Sequence, residues 1–176
     1  MLFSDRSLWT MLHGLVFSGG ALVLLVTALF SLRAMAAAPG AIVPPRQANA
    51  FSGLLIAIAV LLWLAVIGGT YIVFPMYRAT PPEGVTALAE YPRALLLANP
   101  DTRWLHAFGM EIKEHMPWIA AMLATAAAVV GRRHRATLLA DAGLRRLTGA
   151  LLAVSLLLVA GVALLGTFIN KVAPLW

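Results

Sequence analysis

The side chains able to do chemistry are concentrated in one stretch, 105–118, which reads Leu-His-Ala-Phe-Gly-Met-Glu-Ile-Lys-Glu-His-Met-Pro-Trp. It supplies two imidazoles (His106, His115), two carboxylates (Glu111, Glu114), one amine (Lys113) and two thioethers (Met110, Met116). On a helix, Glu111 and His115 stand four apart and share a face, so the carboxylate can orient the ring or favour its protonated form. Pro117 has no N–H for the carbonyl of Lys113, which predicts a loosened turn inside the cluster. Glu111, Lys113 and Glu114 together form a charge cluster of the kind that marks function when it enters a membrane.

A further histidine, His13, is followed at helical spacing by Phe17 and Gly20, which leaves a small residue where a flat ring can approach the backbone. Tyr71 follows the pair Gly68-Gly69 and has a hydroxyl suited to hydrogen-bonding a carbonyl. The chain has no cysteine, which excludes disulfides, thiolate metal sites, iron–sulfur clusters and haem attached through cysteine. A di-metal carboxylate centre wants Glu-x-x-His on each of two helices, whereas the four-residue offset from Glu111 to His115 occurs once. Zincin, phosphate-loop and serine nucleophile motifs are absent from the sequence.

The elements that position these residues follow from composition. With 61% apolar residues, 11% charged and a mean hydropathy of +0.89, the chain lacks the polar surface of a soluble domain, so lipid is its main solvent. Four apolar segments, 8–32, 51–74, 104–130 and 147–169, each approach or exceed the roughly 20 residues needed to cross a bilayer. Each must be helical, because in lipid only a helix satisfies its own backbone groups locally. The first segment is read as a retained helix rather than a leader, since its apolar core is longer than the roughly 7–15 residues of a signal peptide. The expectation is a single all-α transmembrane domain, a four-helix bundle, with an outer loop at 76–103 and a basic inner loop at 131–146.

Charge sets the orientation. Arg33, Arg46, Arg132, Arg133, Arg135, Arg145 and Arg146 flank one side, against Arg6, Arg78, Arg93, Arg103 and Lys171 on the other. The positive-inside rule then places both termini outside, and the net charge of +6 reflects topology rather than a nucleic-acid partner. Trp9, Tyr71, Tyr77, Trp104 and Trp176 fall near the predicted outer interface, and Trp63, mid-span, is the exception.

In this frame His13, His106 and His115 lie toward the same side of the membrane on two helices. The set admits a b-type haem, with His13 as one axial ligand to the iron and His106 or His115 as the other. Met110 or Met116 can replace either ligand, and Arg78, Arg93, Arg103, Lys113 and Lys171 can pair with propionates. A quinone is the close alternative, held by His115, Glu111 or Tyr71 beside an apolar cleft. On these candidate ligands and its architecture, the chain resembles small four-helix membrane cytochrome b subunits and quinone-reactive anchors of bacterial respiratory complexes. The resemblance implies a multi-pass subunit of the bacterial inner membrane, serving electron transport and holding or bordering one haem b or a quinone near the outer face. Its partners would be membrane or periplasmic redox subunits, a cytochrome c among them. Two other functions compete: a cofactor-free subunit docking partners through 76–103, and an ion or proton transporter.

Overall fold

The computed structural model describes residues 4–174, and among them every regular element is helical. The first rod, Asp5–Ala34, runs through α1 (Asp5–Met11), a π-helical turn π1 (Leu12–Gly19) and α2 (Gly20–Ala34). The second, Pro45–Arg78, comprises α3 (Pro45–Gly68), π2 (Gly69–Val73) and α4 (Phe74–Arg78). The short α5 (Pro92–Ala98) interrupts the long connection that follows. The third rod joins π3 (Leu105–Met110) to α6 (Glu111–Arg133), and α7 (Ala142–Val172) is the fourth.

Three of these, Asp5–Ala34, Pro45–Arg78 and Ala142–Val172, are long and apolar enough to cross a membrane. The third rod is not among them. Glu111, Lys113, Glu114, Arg132 and Arg133 charge its two ends and leave too short an apolar middle. The sequence therefore foretells the helical class correctly, while the described residues form four rods and the short α5, five helices in all, of which three have spanning character. The rods also outrun the apolar segments, because helix ends are set by caps rather than by lipid. Pro45 starts α3 at a position where its missing N–H costs nothing, and the carboxylate of Asp141 accepts from Leu144 N at 2.9 Å to start α7.

Packing is cyclic: the first rod meets the second and fourth, and the third also meets the second and fourth. Leu25, Leu55, Ile58 and Leu152 are fully buried along the middle of this bundle. The third rod turns a seam of small residues inward, Ala120, Ala121, Ala124, Ala127, Ala128 and Gly131. Such a seam lets neighbouring backbones come close. At its end Leu55 lies where a β carbon on Gly131 would be.

Two polar ties cross this apolar interior. Ser155 Oγ of α7 donates to the Ala120 carbonyl at 3.2 Å. Trp63 Nε1 donates to Thr125 Oγ1 at 2.9 Å, and its ring meets Trp118 edge to face at 5.8 Å. The mid-span tryptophan is thus a cross-helix tie. Of the aromatics expected at the outer interface, Trp9, Tyr71 and Trp104 are exposed at one end of the bundle. Tyr77 is buried instead, and Trp176 lies outside the described residues.

Candidate functional site

All three π-helical turns lie at the end that carries His13 and His106, here the histidine end. A π turn widens the helix and leaves its carbonyls less tightly held, and such turns recur at functional sites. Each has a local cause. Pro75 follows π2 and has no N–H for the carbonyl of Tyr71. In π1, Ser18 Oγ donates to the carbonyl of His13 at 2.9 Å, giving a loosened carbonyl a second partner. Gly109 weakens helical preference within π3.

At this level the four rods supply two pairs, each a basic side chain set against a glycine of a neighbouring rod. His13 of the first rod points its ring at Gly69 of the second. A β carbon at Gly69 would stand 2.7 Å from Cε1 and 3.2 Å from Nδ1. On the third rod Lys113 is half-buried, and its Nζ lies 3.0 Å from where a β carbon of Gly166 on α7 would be. Two glycines therefore make the room that two basic side chains occupy.

His13 Nδ1 is buried without a hydrogen-bond partner. No carboxylate of the described residues lies within ion-pair distance of Lys113, for the one close acid–base contact is between Glu111 and His115. Holding an ammonium inside a protein without a counter-charge is costly, and the cost falls when a ligand supplies acceptor oxygens.

The remaining candidates fall into separate places. His106 Nδ1 shares a hydrogen bond of 2.8 Å with Tyr77 Oη, joining the third rod to the second. His115 projects outward with a 68% exposed side chain, its Nδ1 2.8 Å from the Glu111 carbonyl and 3.9 Å from the Glu111 carboxylate. Glu111 is likewise exposed, whereas Glu114 is half-buried. Met110 packs in a small cluster with Tyr77, Leu96, Leu105 and Ile169. Arg103, exposed, reaches the Leu97 carbonyl at 3.4 Å.

Several expectations change in this light. The face made by His13, Phe17 and Gly20 packs on the second rod, with Phe17 against Gly68 and Leu61 in the space beside Gly20. Gly20 thus seats a leucine rather than a flat ring. Tyr71 is 69% exposed, and the phenol that faces inward is Tyr77. A haem between His13 and a second histidine requires two rings facing one another, but His106 is turned to Tyr77 and His115 outward. Among the described residues no group of three or more His, Asp or Glu side chains is placed to hold a metal ion.

The partner glycines were detectable only in part. Gly68-Gly69 stands out in the sequence as a place for a neighbouring helix, but nothing there names His13 as the neighbour. Gly166 is one of several small residues on its helix and carries no signal of its own. Comparison with protein-family models, curated proteins and solved structures finds no match to this chain.

Proposed function

We propose that the chain is a membrane subunit of an electron-transfer complex in which His13 and Lys113 border a quinone head group near the outer face. The observation that carries this is the constellation itself: two nitrogen donors, supplied by different rods and set against glycines, with no carboxylate paired to the ammonium. A quinone is an apolar ring bearing carbonyl oxygens. It arrives through lipid and needs donors placed inside a largely apolar wall. Lys113 Nζ and an N–H of His13 would each donate to a carbonyl oxygen, and the ammonium favours electron density gathered there.

In this proposal the third rod is the fourth crossing. Its 23-residue α6 is about 35 Å long at 1.5 Å per residue, enough to traverse the hydrocarbon, and Lys113 near its outer end is seated against Gly166 of α7. The arginine-rich loops then lie inside and both termini outside, in a bacterial inner membrane. Tyr77 and His106, at the same end, form a hydrogen-bonded pair able to pass protons toward the outer water. A haem b liganded by His13 has less support, for the reason of geometry already given. A cofactor-free docking subunit draws on one observation, the continuously exposed stretch 82–87 in the outer connection.

The test is binding of a short-chain ubiquinone to the purified chain in lipid nanodiscs, followed by tryptophan quenching. Saturable binding that Lys113→Met weakens by about 10- to 100-fold supports the site, that being the worth of a hydrogen bond to a charged donor. Binding that is unsaturable, or indifferent to both Lys113→Met and His13→Leu, removes it and leaves the docking subunit. A Soret band in the purified protein would replace quinone by haem.

A further inference from the structure

The opposite end of the bundle holds the whole net charge of +6: seven arginines and one aspartate lie there, and the remaining six bases and six acids lie elsewhere. The one acid is committed, because Asp141 caps α7 through Leu144 N. One base is committed as well. Arg145 Nη1 donates to the Leu139 carbonyl at 2.6 Å and to that of Ala37 at 3.4 Å, while Ala37 N donates to Leu139 O at 2.8 Å. These bonds staple the loop after the first rod to the loop after the third, making one platform.

The other six guanidiniums, on Arg33, Arg46, Arg132, Arg133, Arg135 and Arg146, are exposed, and no carboxylate of the described residues pairs with them. Apolar side chains stand among them. Ile42, at 95% exposure, precedes Arg46 by four residues, and Phe30, at 70%, precedes Arg33 by three. Bulk water suits the arginines but not Ile42. The boundary between lipid head groups and acyl chains suits both, since there the isoleucine enters the acyl layer as the guanidiniums meet phosphate.

We propose that this platform binds anionic phospholipid head groups, their phosphate diesters held by guanidiniums from both loops. Arginine is fitted to that partner by its planar fork, which meets two phosphate oxygens at once. The attraction grows with each charge near an anionic surface, by about fivefold in affinity per guanidinium. This inference is independent of any ligand at the histidine end.

Native mass spectrometry of the full chain, released from detergent containing equal amounts of phosphatidylglycerol and phosphatidylcholine of the same acyl length, tests it. The expected result is selective retention of phosphatidylglycerol. Combined Arg132→Gln, Arg133→Gln and Arg135→Gln should lower that preference by about tenfold or more, while Arg78→Gln at the other end leaves it unchanged. Should the triple variant fail to fold by circular dichroism, Ile42→Ser with Arg46→Gln, on the other loop, tests the same platform. Equal retention of the two lipids overturns the proposal, as does a preference insensitive to the folded loop variants. Displacement of the lipid by millimolar inorganic phosphate would show a site for the free anion and overturn it too.

Discussion

Gly69→Ala probes the contact on which the histidine-end constellation depends. Alanine adds a β carbon 2.7 Å from His13 Cε1 and 3.4 Å from Nε2. Carbon atoms in contact prefer about 3.5–4.0 Å, so the ring must retreat by about an ångström. Overpacking of this kind costs about 1–3 kcal/mol, toward the lower part of the range where the displaced atoms end a side chain with two torsions. Against it, alanine is favoured over glycine within a helix by about 1 kcal/mol. Gly69→Ala alone should therefore destabilise by about 0–2 kcal/mol. In a His13→Ala background the clash is gone, and the same substitution should stabilise by up to about 1 kcal/mol. The assay is reversible unfolding of the four proteins in mixed micelles, read by helical circular dichroism, with the coupling taken from the double-mutant cycle. A coupling of about 1–3 kcal/mol with reversed sign is expected. An effect of Gly69→Ala equal in the two backgrounds would refute contact between His13 and Gly69.

Three further outcomes follow from other contacts. Trp63→Phe removes the donor to Thr125 and should cost about 1 kcal/mol in the same unfolding assay, with a smaller loss when Thr125 is already valine. Tyr77→Phe leaves His106 Nδ1 without its cross-helix partner and should cost about 1–3 kcal/mol, whereas Tyr71→Phe, on the exposed phenol, should change stability by less than about 0.5 kcal/mol. The N–H of Leu144 holds the Asp141 carboxyl below its ordinary value. Because the folded state then binds the proton less tightly than the unfolded one, the stabilisation is complete above an ordinary pKa near 3.9 and fades as pH falls through the lowered value. The advantage of wild type over Asp141→Asn in thermal midpoint should accordingly shrink below about pH 4, and a difference constant with pH would contradict the cap.

Much of the scaffold was legible because lipid leaves few choices. A run such as 147–169 can be stable in hydrocarbon only as a helix, and α7 contains it. The extra turns at its ends were less visible, since Asp141 as a cap depends on a local backbone geometry rather than on hydropathy. The third rod shows the reverse problem. Its charges at Glu111, Lys113 and Glu114 make it the most informative segment for chemistry and the weakest by spanning composition.

Site residues were legible by type but not by partner. His13 and Lys113 stand out because ionisable groups are rare in apolar segments. Their seats, Gly69 and Gly166, depend on how the rods rotate against one another. The π turns alter that rotation, and helical spacing at 3.6 residues per turn cannot foresee it. Tyr77 faces inward and Tyr71 outward, although both were expected at the outer interface. His115 and Glu111 do meet at four-residue spacing, but on the exposed side of the rod, apart from His13.

In the proposed site Lys113 serves a ligand rather than stability. Replacing a half-buried ammonium that has no carboxylate partner by an apolar chain of similar length is neutral or stabilising when no partner is left behind. Lys113→Met should therefore unfold no earlier than wild type in the micelle assay, yet bind short-chain ubiquinone about 10- to 100-fold more weakly in nanodiscs. A variant that binds the quinone as tightly as wild type would contradict the assignment of this site.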